Sequence, residues 1–297
     1  MRIGFIGLGR MGASIARHLQ TAGHPLLVHD VRREAAAGHL ERGARWADSP
    51  SELAAGSDLV LTCLPGPPEV EATVLASGGV LEGLQPGAVY VDLSSSSPTL
   101  IRSIAERLAA RGCIALDAPI SGGVTGAEKG TLQVMVGGDE ATYERIRPVL
   151  LAFGSRVSRM GDVGSGTVAK LVHNLIYITT RNVLAEGFTL GVKAGVQPEA
   201  LLEAVQGSAF GQGLLLTHYL PEMVFKGSFE PVRFAMKLAR KDVALATALA
   251  RECDVPMPFA ALTEQMLVEA VARGWGDEDY GKTFLLQEER AGVQVRK

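Results

Sequence analysis

The hydrophobic pattern of the chain changes at about residue 163. Before that point, short apolar runs alternate with segments whose apolar residues recur at helical spacing. The runs predict strands at residues 2–6, 26–29, 59–64 and 89–93, and the spacing predicts helices from Met11 onward and at 33–42, 69–75 and 98–111. Strands that alternate with helices in this way predict a parallel sheet covered by helices on both faces.

From Gly164 onward, helical spacing continues without strand alternation. Residues 164–195 contain no proline and predict one long helix, and further helices are predicted at 198–205, 234–253, 258–272 and 279–291. A helix of ~30 residues is roughly 45 Å long, longer than a small domain is wide. Its apolar residues spread over several faces, so we expect it to contact more than one neighbour. The pattern predicts an α/β domain at 1–163 and an all-α domain at 164–297, joined by this helix.

Composition limits the classes of protein to consider. The chain has 297 residues, of which 47% are hydrophobic and 21% charged, and its formal net charge is -3. These values are typical of a soluble globular protein, and no basic excess indicates nucleic-acid binding. No apolar run reaches the ~18 residues of a membrane span. Because the first strand begins at Arg2, we expect no presequence and a cytoplasmic location.

Cysteine and histidine positions favour a protein without a metal site. Cys63, Cys113 and Cys253 are far apart and each lies in or beside an apolar stretch, so we expect reduced thiols in the core. The six histidines show no spacing typical of metal ligands.

The first predicted strand and helix are joined by a glycine motif. It comprises Gly7, Leu8, Gly9, Arg10, Met11 and Gly12. In this context the glycines permit a tight turn, close approach of a pyrophosphate, and close packing of the helix on the strand. The exposed N–H groups of a helix N-terminus also favour phosphate. The motif therefore predicts a Rossmann-type dinucleotide-binding domain.

The residue at the end of the second strand indicates which dinucleotide binds. Asp30 lies 18 residues after Gly12, where a carboxylate accepts hydrogen bonds from the adenosine ribose hydroxyls. Because a 2′-phosphate would be repelled there, Asp30 favours NAD. Arg32 and Arg33 could pair with a 2′-phosphate or form an exposed helix face, so NADP stays possible.

Two other strand ends are predicted to lie near the cofactor, because open α/β sheets bind ligands at the carboxyl ends of their strands. The cofactor-binding candidates there are Leu64, Pro65, Val70 and Ser95. Ser94 to Ser97 could instead cap the helix that opens at Pro98, and different serines could fill the two roles.

Two further motifs carry candidate chemistry for a substrate. Lys170 and Asn174 are four residues apart and therefore share a face of the long helix, either as a functional pair or as a surface lysine beside a bonded amide. The neighbouring His173 is expected to point about 100° away from Asn174. Ser121, Gly122 and Gly123 form a turn whose N–H groups could hold a carboxylate, or a plain glycine loop.

The order of the motifs along the chain is typical of one enzyme family. They are Gly7-x-Gly9-x-x-Gly12, Leu64-Pro65, Asp92-x-Ser94-Ser95, Asp117-Ala-Pro-x-Ser-Gly-Gly123, Gly130-Thr-Leu, Gly164-x-Gly166-x-x-x-Lys170-x-x-x-Asn174 and Lys241-Asp242. Over nearly its whole length the chain resembles the β-hydroxyacid dehydrogenases, a family that includes 3-hydroxyisobutyrate dehydrogenase and is related to 6-phosphogluconate dehydrogenase.

The resemblance implies a role for each motif. Lys170 would be the general acid/base, Asn174 would orient the substrate, and Ser121 to Gly123 would bind its carboxylate. Lys241 would reach the nicotinamide or the substrate, although read alone the pair Lys241-Asp242 is an ordinary charged pair on a helix face. The implied reaction is NAD(P)-dependent hydride transfer between a small 3-hydroxy acid and its semialdehyde or keto acid.

Two other functions stay open at this stage. Imine reductases resemble the same architecture but usually carry Asp or Tyr where this chain has Lys170. Some relatives are non-catalytic cofactor-binding modules used for assembly, which typically lack that lysine. For any of these functions, the apolar long helix predicts a homodimer or homotetramer.

Overall fold

The computed structural model describes residues 1–193, 195–208, 211, 213, 215–252 and 258–296. The chain divides into two compact units, Met1–Leu171 and Val172–Lys297. Among the described residues, the first unit contains one sheet of nine strands. They are β1 (Ile3–Ile6), β2 (Leu26–His29), β3 (Arg45–Trp46), β4 (Leu59–Thr62), β5 (Val89–Asp92), β6 (Ile114–Asp117), β7 (Ile120–Ser121), β8 (Leu132–Gly137) and β9 (Gly154–Gly161).

Helices cover both faces of this sheet. They are α1 (Arg10–Thr21), α2 (Ala37–Leu40), α3 (Pro50–Ala55), α4 (Pro67–Leu75), α5 (Val80–Gly83), α6 (Pro98–Ala109), α7 (Gly123–Lys129) and α8 (Glu140–Leu150), with a short 3-10 helix at Arg33–Ala36. On one face Phe5 packs in a cluster with Ile15 of α1. On the other face Tyr90 packs in a cluster with Ile104 of α6. The predicted α/β Rossmann-type architecture is confirmed.

Strands β1, β2, β3, β4, β5 and β6 pair in parallel in the order β3-β2-β1-β4-β5-β6. All residues of β1, β4 and β5 are buried, as expected for strands covered on both faces. The parallel register places the carboxyl ends of these strands along one edge of the sheet.

The far side of the sheet differs from the purely parallel prediction. Strand β8 runs antiparallel to β6 and β7, and β9 runs parallel to β8. The prediction omitted β6 to β9 and the helices α7 and α8. Strand pairs such as Ile120 with Val134 join residues that are distant in sequence. The hydrophobic spacing within a short window therefore does not predict this pairing.

The second unit is helical. Helix α9 (Ser165–Lys193) crosses the division between the units and corresponds to the predicted long helix. It is followed by α10 (Pro198–Gln206), α11 (Met236–Glu252), α12 (Pro258–Ala270) and α13 (Thr283–Ala291), with π-helical turns at Leu215–Val224 and Val271–Trp275 and a 3-10 turn at Tyr280–Lys282. The π-helical segment Leu215–Val224 was not predicted. In the described part of the chain, no helix combines the length and the apolar character that crossing a membrane requires.

Candidate active site

The three glycines of the first loop occupy different environments. Gly7 has a φ of 96°, and a Cβ atom there would lie 2.4 Å from the carbonyl oxygen of Cys63. A Cβ atom on Gly12 would lie 1.8 Å from the carbonyl oxygen of Gly7. A Cβ atom on Gly9 would meet nothing within 4 Å. Gly7 therefore makes the turn, Gly12 packs α1 against the loop, and Gly9 leaves open space.

The N-terminus of α1 faces that open space. Gly9 is the N-cap residue, and as a glycine it has no side chain with which to cap the first helical turn. Arg10 is exposed and Met11 is half-buried. The N–H groups of the first helical turn have no acceptor within the helix, and together with the helix dipole they favour an anion. The loop thus has the shape and the donors that suit the pyrophosphate of NAD(P).

Asp30 is held beside this loop by backbone donors. Its Oδ2 accepts a hydrogen bond from the Leu8 N–H at 2.7 Å, and its Oδ1 accepts one from the Arg32 N–H at 2.9 Å. A carboxylate oxygen can accept more than one hydrogen bond, so both oxygens can still accept from ribose hydroxyls. The guanidinium of Arg33 lies 5.4 Å from the ring centroid of Trp46.

A row of polar residues ends three neighbouring strands at the carboxyl edge of the sheet. Thr62, Asp92 and Asp117 are register partners across β4, β5 and β6. The hydroxyl of Thr62 and the N–H of Ser94 both donate to Oδ1 of Asp92, at 2.9 and 3.0 Å. The hydroxyl oxygen of Ser94 accepts from the Leu64 N–H at 2.9 Å. This network joins the turns that follow β4 and β5.

The other candidates on these turns differ in exposure. Ser97 caps α6, where its hydroxyl oxygen accepts from the Leu100 N–H at 3.5 Å. Ser95 is half-buried and Pro65 is exposed. Val70 lies on α4 and is fully buried in the core cluster on that face of the sheet. The serines therefore serve different purposes, with Ser97 in the capping role.

Burial dominates the electrostatics of Asp92. The loss of hydration raises its pKa from 3.8 to about 6, although hydrogen bonds from Ser94 and Thr62 act in the opposite direction. Its Oδ2 has no hydrogen-bond partner among the described residues. The folded state therefore binds the Asp92 proton more tightly than the unfolded chain does.

Asp92→Asn should consequently stabilise the protein more at high pH than at low pH. The penalty for the buried charge is absent below about pH 4, grows as the pH rises to about 6, and is complete above that pH. A shift of about two pKa units corresponds to on the order of 3 kcal/mol. We expect the difference in unfolding free energy, variant minus wild type, to rise by about that amount between pH 4 and pH 7.5 in urea titrations. Asp162→Asn, at a fully exposed carboxylate, controls for general loss of charge, and a pH-independent difference for Asp92→Asn would contradict the expectation.

Asp117 bonds to the start of α9. Its Oδ1 accepts from the Gly164 N–H at 2.6 Å, and its Oδ2 accepts from the N–H and the hydroxyl of Thr167 at 2.5 and 2.8 Å. Burial raises the pKa of Asp117, against the effect of these hydrogen bonds. The sequence placed Asp117 only in the substrate loop; the structure adds the contacts to α9.

The predicted anion loop lies between β7 and α7. Ser121 is half-buried, while Gly122 and Gly123 are exposed and have φ angles of 133° and 63°. A Cβ atom on Gly123 would meet nothing within 4 Å. Ser121 pairs with Gln133 of β8, which fixes the start of the loop. The backbone N–H groups after Ser121 are therefore unobstructed by side chains of the loop itself.

Lys170 and Asn174 are both buried on α9, with 8% and 7% of their surface exposed. The amide Nδ2 of Asn174 donates to Oδ2 of Asp242 at 2.5 Å. Nδ1 of His173 lies 3.2 Å from the amide oxygen of Asn174. The expectation that His173 points away from Asn174 is therefore wrong, because its ring nitrogen contacts the Asn174 amide although the two residues are about 100° apart around the helix.

Asp242 is a candidate functional residue that sequence analysis missed. It is only 2% exposed, so it does not belong to an ordinary charged helix face. Its Oδ1 lies 3.0 Å from Nζ of Lys241, while its Oδ2 binds Asn174. One buried carboxylate thus contacts both second-unit residues that the resemblance assigned to the site. The only signal in the sequence is its position next to Lys241.

Neither metal-ligand nor thiol chemistry is indicated by the residues that the structure describes. Within them, no group of three or more His, Cys, Asp or Glu side chains could hold a metal ion. Cys63 is half-buried and Cys113 is buried, and burial raises the pKa of Cys63 to about 12. Cys253 lies outside the described residues.

Comparison with known proteins extends these observations to the whole chain. Residues 2–161 match the NAD-binding domain of 6-phosphogluconate dehydrogenase, and residues 164–284 match the NAD-binding region of NADP-dependent 3-hydroxyisobutyrate dehydrogenase. The chain is 37% identical to 2-(hydroxymethyl)glutarate dehydrogenase of Eubacterium barkeri over 295 residues, 99% of this chain and 97% of that protein. It is 35% identical to 3-hydroxyisobutyrate dehydrogenase of Pseudomonas aeruginosa over 269 residues, 89% of this chain and 90% of that protein.

A solved structure is similar over the same extent. The 3-hydroxyisobutyrate dehydrogenase of Mycobacterium tuberculosis, solved with L-serine, matches with a TM-score of 0.86 and 29% identity over 96% of this chain and 98% of that chain. The glycine loop, the parallel sheet and the helical second unit agree with this relationship. The chain therefore belongs to the β-hydroxyacid dehydrogenases, NAD(P)-dependent oxidoreductases that act on a CH–OH group.

Proposed function

We propose that this enzyme interconverts a small 3-hydroxy acid and its semialdehyde or keto acid, with Lys170 as the general acid/base. The observation that carries the proposal is the buried pair Lys170 and Asn174, one turn apart on α9. Residues four apart on a helix lie on the same face, so the amine and the amide project in the same direction. Lysine can act as a proton carrier, and the asparagine amide beside it can donate to a substrate oxygen.

The names of the relatives support a particular substrate class. 2-(Hydroxymethyl)glutarate, 3-hydroxyisobutyrate and L-serine each carry a hydroxymethyl group on the carbon next to a carboxylate. The open turn formed by Ser121, Gly122 and Gly123 offers N–H donors and a hydroxyl for such a carboxylate. Phe210 and Phe234 are our candidates for the pocket around the rest of the substrate, where they would favour a small or partly apolar group. Phe234 is half-buried, and Phe210 lies outside the described residues.

The proposed chemistry separates a hydride from a proton. When bound, NAD(P) supplies the hydride acceptor at C4 of its nicotinamide ring. As the carbinol carbon loses hydride, the neutral amine of Lys170 takes the hydroxyl proton, and a carbonyl group forms. In the reverse direction the Lys170 ammonium returns that proton to the carbonyl oxygen. Asn174 orients the reacting oxygen, and Lys241 contacts the nicotinamide or the substrate.

We also propose that NAD is preferred over NADP. The Asp30 carboxylate is fixed beside the glycine loop by two backbone N–H groups, so it cannot turn away from a 2′-phosphate without losing both bonds. Arg33 is held near Trp46, and Arg32 lies 4.0 Å from Asp30 through its Nε. These contacts leave Asp30 as the group that decides between the cofactors.

A substrate panel with both cofactors tests these proposals. Short 2-substituted 3-hydroxypropanoates, the corresponding semialdehydes and a cyclic imine should be assayed with NAD(H) and NADP(H) in parallel. We expect the hydroxymethyl acids and their semialdehydes to react, with kcat/KM about tenfold or more higher for NAD than for NADP. Turnover of the imine alone would favour an imine reductase, and absence of all turnover would favour a non-catalytic cofactor-binding module.

We propose that the first 163 residues bind the cofactor, and that residues 164–297 bind substrate and join copies of the chain. On α9 the side chains of Val172 and Ile176 are 47% and 62% exposed, and on α12 those of Phe259 and Leu262 are 70% and 55% exposed. A second copy of the chain would cover such large apolar side chains. We expect a homodimer or homotetramer in sedimentation at micromolar concentration, and dissociation in Ile176→Glu. A wild-type monomer would contradict this proposal.

A further inference from the structure

Asp117 connects two parts of the first unit that carry different proposed functions. It is the last residue of β6, and the anion loop at Ser121 begins four residues later. Its carboxylate bonds to the first turn of α9, the helix that carries Lys170. One residue therefore belongs to the substrate loop by sequence and to the lysine helix by its hydrogen bonds.

The contacts to α9 form a cap supplied from a distant strand. The first N–H groups of an α-helix have no partner within the helix and need acceptors from elsewhere. Asp117 supplies one acceptor to Gly164 and two hydrogen bonds to Thr167, all between 2.5 and 2.8 Å. A carboxylate at this position also interacts favourably with the helix dipole. Asp117 is fully buried, so these bonds are shielded from water.

The start of α9 also packs directly on β8, and the two backbones are so close that no side chain fits between them. A Cβ atom on Gly166 would lie 2.1 Å from the carbonyl oxygen of Met135, and one on Gly137 would lie 2.3 Å from Oδ1 of Asp117. Lys170 follows Thr167 by three residues, about 4.5 Å along the helix axis. The position of the first turn therefore determines where the Lys170 side chain begins.

We propose that Asp117 is a positioning residue for Lys170. Its three hydrogen bonds fix the rotation and height of the first turn of α9, and this places the lysine amine relative to the anion loop that begins four residues after Asp117. The inference rests on the proposed acid/base role of Lys170. It assigns to Asp117 a part in the reaction that is separate from binding the substrate carboxylate.

The chain contains a control with the same hydrogen bonds at an exposed carboxylate, whereas Asp117 is buried. At the start of α8, Oδ2 of Asp139 accepts from the N–H and the hydroxyl of Thr142, both at 2.8 Å. Thr142 and Thr167 are both buried. Helix α8 carries none of the candidate site residues. Replacing the threonine with valine removes the hydroxyl bond and replacing the aspartate with asparagine weakens both bonds, so the same contacts can be altered at a helix with the lysine and at a helix without it.

The test compares Thr167→Val and Asp117→Asn with Thr142→Val and Asp139→Asn. We expect all four variants to lower Tm by a few degrees. Only the first two should lower kcat, by about 10-fold for Thr167→Val and about 10- to 100-fold for Asp117→Asn, as for a misplacement of a catalytic group by about 1 Å. In a Lys170→Ala background the same two substitutions should change the residual turnover by less than about twofold, because no lysine is left to misplace.

A second readout does not depend on turnover. The rate at which an amine-reactive reagent labels Lys170, measured by peptide mass spectrometry, should rise about threefold or more in Thr167→Val while exposed Lys129 is unaffected. If wild type oxidises no hydroxy acid, the proposed function fails and this readout still decides the inference. Unchanged labelling overturns it, as do equal losses of kcat in the control pair or in the Lys170→Ala background. If Asp117→Asn does not fold, Thr167→Val alone gives the result.

Discussion

Lys170→Ala is expected to lower kcat by about 10²- to 10⁴-fold, the range typical of removing a general acid/base. The substitution removes the only group that we assign to carry the proton of the reacting hydroxyl. The cofactor loop lies at the start of α1, and Lys170 is not among the residues proposed to bind the cofactor. The dissociation constant of NADH, measured by fluorescence titration, should therefore change by less than about threefold.

Two further measurements distinguish proton transfer by Lys170 from a purely electrostatic role of its positive charge. Lys170→Arg keeps a positive side chain, but a guanidinium does not release its proton at working pH. It should therefore lose activity nearly as fully as the alanine variant. Small primary amines added to Lys170→Ala should restore part of the turnover. Lys129→Ala, at an exposed position, controls for the loss of a lysine as such.

Near-normal turnover in Lys170→Ala would remove the lysine from the mechanism. Full activity in Lys170→Arg would restrict it to an electrostatic role. In either case the family assignment would stand, because it depends on matches over residues 2–161 and 164–284 rather than on one side chain.

The main architecture was predictable because its signals are local. Buried strands such as β4 appear as continuous apolar runs, and α9 appears as an unbroken helical stretch between glycines. The region from β6 to β9 was not predictable in this way. Its antiparallel pairing depends on contacts such as Asp117 with Gly137, which no short window contains. The π-helical segment Leu215–Val224 includes Pro221, which interrupts the helical pattern that would have indicated it.

In the candidate site, too, the features with local signals were predictable and those that depend on distant contacts were not. Gly7, Gly9 and Gly12 were predictable because their spacing encodes a local turn between a strand and a helix. The partners of Asp117 are 47 and 50 residues away, and Asn174 is 68 residues from Asp242. The burial of Asp117 and Asp242 results from packing against these distant partners. Their charged side chains alone indicated a loop for Asp117 and an exposed helix face for Asp242.

The glycine loop allows a prediction that distinguishes cofactor binding from folding. Gly9→Ala should leave Tm within about 2 °C of wild type, because its φ of -69° and ψ of -169° suit alanine and the new Cβ atom meets nothing within 4 Å. If the pyrophosphate lies over this position, the methyl group occupies the space of the ligand. We expect the dissociation constant of NADH to rise about 10- to 100-fold, a loss of about 1.4 to 2.8 kcal/mol.

Gly12→Ala provides the contrast within the same loop. Its Cβ atom would lie 1.8 Å from the carbonyl oxygen of Gly7, so the backbone must move and both Tm and NADH affinity should fall. Comparison of the two variants therefore distinguishes a glycine that leaves space for the ligand, Gly9, from one that the packing of the protein requires, Gly12. Wild-type NADH affinity in Gly9→Ala would show that the pyrophosphate does not approach the loop at Gly9, and the proposed placement of the cofactor over the start of α1 would have to be abandoned.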